Sequence, residues 1–220
     1  MGEQGINEEL AVAQMRKRLD ELGVPPNATR IMFTHRSKDV PPGEGAAEEG
    51  AGSDMDLPRL GTNWRQALSN FACCPIRMPF GLDGQELEFS SVEAAFQAGK
   101  YFVNGLHDGV KEVLKCKTGL EARKCRKYIR LDDEQLEKWE REKHAVMEQA
   151  LRQKFATPEY QPILLATGTA HLTHQPPRAR GYGWHVINGK EVFVDNSQYT
   201  LMQIRRDWSA DDEGKQTSHT

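Results

Sequence analysis

Hydrophobic residues recur at helical spacing in two stretches of the chain. In the longer one Leu136, Trp139, Val146, Met147, Ala150 and Leu151, with Lys143 among them, follow at three- and four-residue steps behind Asp132-Asp133-Glu134. This predicts a helix over about 133–155 with Trp139 on or beside its buried stripe. In the shorter one Val92, Phe96, Phe102 and Val103 form an apolar face that predicts a helix over 91–103, capped by Ser90 or Ser91. A weaker amphipathic pattern over 7–23 carries Leu10, Met15, Leu19 and Leu22 and stops at Gly23 and Pro25-Pro26. Short apolar runs predict strands at 30–34 and 192–194, and 77–80 and 87–89 flank Leu82-Asp83-Gly84 as a hairpin would. Leu164 to Gly168 is a compact apolar segment, and Leu201, Met202 and Ile204 mark a last helix. Residues 40–56 are rich in Gly, Ala, Pro, Glu and Asp, which predicts a disordered loop, as does the polar tail beyond Trp208. Pro176-Pro177 through Gly181-Tyr182-Gly183-Trp184 reads as a rigid-then-flexible loop, a composition common in segments that close over ligands.

Composition narrows the class. With 220 residues and 38% apolar content the chain can build one real core, and one domain is expected. A formal charge of −3 gives no global electrostatic case for a nucleic-acid or membrane-surface partner, so any such contact is local. No run of apolar residues is long enough to span a membrane and the N-terminus is too polar for a secretory signal, which points to an intracellular, cytoplasmic protein. Cys73, Cys74, Cys116 and Cys125 lack paired metal-ligand spacing and are expected as reduced, buried thiols. The His residues form no metal-binding pair, no Gly-rich phosphate loop occurs, and no cofactor or metal is expected.

The candidate chemistry lies on the shorter helix. Glu93, Gln97 and Lys100 stand at i, i+4 and i+7, one helix face rising roughly 10 Å. A helix that packs on one side and aligns a carboxylate, an amide and an amine on the other can form the wall of a catalytic pocket. The competing reading is a surface Glu-Lys helix with one packed face. A basic stretch over 119–127, including Arg123, Lys124 and Arg126, is either a phosphate-holding patch or a solvated helix face. Trp139 is either core or a stacking platform.

Five ordered blocks carry a resemblance: Ser69-Asn70-Phe71; Ser91-Val92-Glu93 with Phe96-Gln97-Ala98-Gly99-Lys100; Trp139 through Lys154-Phe155; Leu164 to Gly168; and Leu201-Met202 with Arg205. In this order they resemble the NADAR family, the YbiA-like proteins, over about 29–208. Residues 1–28 stand outside it as a helical extension, 40–63 as an acidic, disordered insertion and 209–220 as a disordered tail. The resemblance implies a compact, mostly helical α+β fold and cleavage of an N-glycosidic bond. Members are associated with phosphorylated riboflavin-pathway intermediates or with removal of ADP-ribose from guanine. By that likeness Lys100 matches a lysine suited to attack ribose C1, Glu93 would move the protons, and Gln97 would read ribose or base. Ser69, Asn70, Phe71, Arg123 and Trp139 would bind substrate, in part through its phosphates. Where the family pattern often runs Glu-x-Ser-Pro-x-Asp-x-x-Trp-Gly, this chain places His174, Pro176, Pro177, Ala179, Tyr182 and Gly183; the aspartate is replaced by Ala179. Tyr182, or Trp184 after a local shift, would supply the aromatic wall. Asp195 falls where the family usually has asparagine, and a one-residue deletion would put Asn196 there. The leading expectation is hydrolysis of ADP-ribosyl-guanine, as nucleoside or nucleic-acid base. The alternatives are hydrolysis of a riboflavin-pathway intermediate and non-catalytic binding of NAD or ADP-ribose.

Overall fold

The computed structural model describes residues 13–45, 48, 50, 55, 57, 63–125, 130–174, 184–187, 190–193 and 196–217. The fold is α+β, dominated by helices with a few short strands. The chain divides into two compact units, the first made of residues 1–34, 38–62 and 164–220, the second of residues 35–37 and 63–163.

The second unit is built around helix α3. Its elements in order are α2 (Trp64–Ala67), β2 (Ile76–Met78), β3 (Leu87–Phe89), α3 (Val92–Phe102), α4 (His107–Leu114), α5 (Gly119–Cys125) and α6 (Asp133–Phe155). Strands β2 and β3 pair antiparallel, with Arg77 opposite Glu88. Their connection turns through Asp83 at φ 56° and Gly84 at φ 78°. Two successive left-handed residues suit Asp-Gly and match the strand twist, so the hairpin signal corresponds to the observed turn. Phe80 of this hairpin stacks on Phe102 at 4.7 Å and lies 5.8 Å from Phe89.

Helix α3 starts where Ser91 accepts a hydrogen bond from Ala94 N–H at 3.1 Å, which settles the choice between the two serines. Its core face differs from the expected one. Val92, Ala94, Ala95 and Ala98 are fully shielded and Tyr101 nearly so, whereas Phe96, Phe102 and Val103 are half-buried. Gly99 lets α6 come close, since a Cβ there would lie 2.6 Å from Val146 Cγ1. Helix α6 matches its expected span. Asp132 accepts from Gln135 N–H while the Gln135 side chain accepts from Asp132 N–H, a complete capping box.

The first unit begins with α1, residues 13–21. Strand β1 (Arg30–Phe33) then pairs in parallel with β4 (His171–His174), Arg30 facing His171. Helix α7 (Gln161–Leu165), in which the chain passes from the second unit to the first, precedes β4. A hairpin of β5 (Trp184–Ile187) and β6 (Lys190–Phe193) and the terminal helix α8 (Asn196–Thr217) complete the unit. Strands β4 and β5 add to the expected elements, and α8 runs on to Thr217 through a tail read as disordered from its polarity. In the expected loop, Leu57 is fully buried and Glu48 Oε1 accepts from Met32 N–H at 2.7 Å, so at least these residues pack on the unit. Arg205, buried on α8, donates to Thr167 Oγ1 at 2.8 Å and to the Ala170 carbonyl at 2.9 Å. Those bonds tie the helix to the turn ahead of β4. Burial alone pulls its pKa down to about 10.

Candidate active site

The two sequence blocks with which the chemistry began meet in space. The turn at Ser69-Asn70-Phe71 docks on the first turn of α3, where the Asn70 carbonyl accepts Glu93 N–H at 2.9 Å. A helix start leaves its first N–H groups without intrahelical partners, and this bond satisfies one of them. Ser69 is fully buried; its hydroxyl accepts Phe71 N–H at 3.3 Å and so shapes the turn. Asn70 is half-buried, with Nδ2 lying 3.6 Å from Met147 Sδ on α6.

On α3 the carboxylate of Glu93 is withdrawn from solvent, at 8% exposure for the residue. Gln97 Nε2 donates to Glu93 Oε1 at 2.9 Å, one helical turn on. Lys100 follows on the same line and is half-buried. A solvated Glu-Lys face would not bury its acid, so the surface reading of this helix does not hold for Glu93. The backbone under Lys100 is also fixed: Asn104 Nδ2 donates to the Lys100 carbonyl at 3.0 Å and to the Gln135 carbonyl at 3.2 Å.

Helix α5 closes another side. A Cβ on Gly119 would stand 3.0 Å from Ser91 Oγ, 3.1 Å from Phe71 Cδ1 and 3.2 Å from Glu93 Cβ, so the residue must be small for α5 to reach the carboxylate's base. Arg123 is exposed, its guanidinium 5.8 Å from the centre of the Phe71 ring. The other face of α5 is tied to α3, since Tyr101 Oη donates to the Cys125 carbonyl at 3.2 Å. Trp139 is buried at 6% exposure and meets Phe96 edge-on at 4.8 Å.

Ser69, Asn70, Phe71, Glu93, Gln97, Lys100, Arg123 and Trp139 all belong to the second unit. Trp184 opens β5 and Asn196 opens α8, both in the first unit. Tyr182, Gly183 and Asp195 lie outside the described residues, as do Ala179 and Arg126. The thiols are free, but Cys73 is exposed and Cys116 half-buried; only Cys74 and Cys125 have the burial expected of all four. Among the described residues no group of three or more His, Cys, Asp or Glu side chains is arranged to hold a metal ion.

Two residues outside the expected set shape the site. Gly119 is one; its only sequence mark is its place at the start of the basic segment. The other is Lys154, fully buried on α6, whose Nζ donates to the Ser69 carbonyl at 2.7 Å and lies about 5 Å from the centres of the Phe155 and Tyr160 rings. Burial lowers its pKa to about 7, with Cys74 and Glu159 pulling the other way. Lys154 prolongs the stripe of Val146, Ala150 and Leu151, and a lysine on an apolar stripe was the available signal.

A sequence profile of the NADAR domain matches residues 61–207, two thirds of the chain. The chain belongs to the NADAR family. That family includes N-glycosidase-like members. The solution NMR structure of the E. coli protein YbiA shares the fold, with a TM-score of 0.52, 23% identity, and 86% of this chain and 90% of that one covered. Among curated proteins none matches. No helix among the described residues of this NADAR protein is long and apolar enough to cross a membrane.

Proposed function

We infer that this NADAR protein is an N-glycoside hydrolase that releases ADP-ribose from ADP-ribosylated guanine. The observation that carries this reading is the buried Glu93 carboxylate, bonded to Gln97 and followed along one face of α3 by Lys100. In the proposed reaction the neutral Lys100 amine attacks ribose C1 and the bond from C1 to the base nitrogen breaks. Glu93, in its acid form, gives the departing base its proton. The new C1–nitrogen ammonium returns one proton to the Glu93 carboxylate, the bond from C1 to the ring oxygen breaks as that oxygen takes the other, and the imine that results is hydrolysed by water to free sugar and amine. Gln97 orients the carboxylate, Asn70 and Phe71 meet the nucleotide, and Arg123 meets a phosphate.

Reduction with borohydride during turnover traps an imine as a stable amine, so intact mass and peptide mapping should place an ADP-ribosyl adduct on Lys100. Undiminished hydrolysis by Lys100→Ala would sink the covalent step. Tight binding of ADP-ribosylated guanosine with no release of ADP-ribose would favour a binding module instead, the reading prompted by Ala179 in place of an acid. Release of ribose 5-phosphate from a riboflavin-pathway aminopyrimidine would redirect the substrate and leave the site in place. With ADP-ribosylated DNA, a salt-dependent preference for oligonucleotide over nucleoside would mark local backbone contacts.

A further inference from the structure

The first unit holds a cavity of about 280 Å³ lined by Arg16, Arg30, His171 and the turn at 24–28, with Leu19 and Gly50 completing the wall. No carboxylate is among its lining residues. Register explains why two of the basic groups converge: Arg30 and His171 are direct partners across the parallel pair of β1 and β4, so their side chains leave the sheet on one face. Ile31 and Phe33 point the other way into the core. Arg16 reaches the same place from α1, where its guanidinium donates to the Val24 carbonyl at 2.8 Å and pairs with Asp20. His171 Nε2 is shut off from solvent and has no hydrogen-bond partner among the described residues. An orphaned ring nitrogen of this kind asks for an explanation, and a ligand atom is one. The positive surroundings are felt by the ring itself. Burial first, and then Arg30, Arg205 and Arg16, lower its pKa to about 4, so near neutral pH it is an uncharged imidazole in the field of cations.

We propose that this cavity is a second ligand site that takes the oxyanion head of a small organic molecule, a phosphate monoester or a carboxylate, between Arg30 and His171. Arg30 supplies the charge and a planar pair of donors, His171 Nε2 supplies one N–H, and Leu19, Val24 and Pro25 face the organic body. The volume approaches the range of about 300–1,000 Å³ usual for small-molecule pockets and far exceeds the roughly 30 Å³ share of one water. Arg16 and Arg30 lie ahead of the stretch that matches the NADAR profile, and His171 lies within it. The site is independent of the reading of Lys100 and Glu93.

The test uses the full chain at physiological salt, with phenyl phosphate, benzoate and inorganic phosphate titrated separately while the His171 ring and the 27–30 backbone amides are followed by NMR. Saturable shifts confined to those signals are expected, with phenyl phosphate or benzoate binding more tightly than inorganic phosphate because the apolar wall is then filled. Which of the two binds identifies the head group. Arg30→Gln should weaken binding about tenfold or more, and Arg30→Lys should restore part of it. Should Arg30→Gln fail to fold, Ala28→Phe keeps the charges, fills the cavity and should abolish the shifts. Shifts that never saturate, that spread over the surface, or that persist at full affinity in Arg30→Gln or Ala28→Phe would overturn the proposal.

Discussion

Replacing Lys154 by methionine removes a buried amine and keeps the length of the side chain. In the folded protein this amine titrates near 7, against 10.5 for an ordinary lysine. Above neutral pH the unfolded chain therefore holds a proton that the folded one has released. Stability must then rise with pH by about 1.4 kcal/mol per unit, fully above the folded value and levelling off at the unfolded one. Allowing for partial titration at the lower end, the gain between about pH 7 and about pH 9 comes to about 2 kcal/mol. Lys154→Met lacks that slope. The raised pKa values of Cys74 and Cys116 act the opposite way only as pH approaches 9, and because the Cys74 thiol feels the Lys154 amine, the two curves are compared mainly between about pH 7 and about pH 8, where both thiols keep their protons. Urea midpoints and m-values measured across this range would show it. Wild-type and variant curves that run parallel would refute the lowered pKa assigned to the buried Lys154 amine.

Three further outcomes follow from the geometry. Gly99→Ala should cost about 1–3 kcal/mol by calorimetry, because its new methyl would sit 2.6 Å from Val146 Cγ1, and a Val146→Ala background should absorb much of that loss. Ser91→Ala should lower stability by about 1 kcal/mol through the lost bond to Ala94 N–H, read as a shift in thermal midpoint. On the acid side, the His171 pKa of about 4 lies below the ordinary 6.5, so the unfolded chain takes up the proton first. Stability is lost as pH falls between these values, by up to about 3 kcal/mol, and His171→Asn should flatten that part of an acid-unfolding profile.

Helix α6 was legible almost to the residue because its signals are local: a capping pair at Asp132 and Gln135 and an apolar stripe at one period. The face of α3 that bears Glu93, Gln97 and Lys100 was legible for the same reason. Its packing face was not, since Ala94, Ala95, Ala98 and Gly99 carry little hydrophobic signal, and Gly99 shows its role only against Val146. Strand β4 escaped notice because His171, Thr173 and His174 break any apolar run and its partner lies far away in sequence. Strand β5 was hidden behind the Pro-Gly segment that precedes it. Lys154 and Gly119 act through what they touch, Ser69 in one case and Phe71, Ser91 and Glu93 in the other. Neither contact has a signature in spacing.

The parallel pairing of β1 with β4 sets an order of events for the chain. Arg30 and His171 stand about 140 residues apart, and closing a flexible loop of that length costs on the order of 4 kcal/mol in chain entropy. The second unit, by contrast, is nearly continuous from 63 to 163 and can collapse on its own contacts. During synthesis its segment is made, and most of it leaves the ribosome, ahead of β4. Strand β1 must wait with an unpaired edge until His174 emerges, so a nascent chain arrested before that point exposes a strand edge open to pairing with other chains.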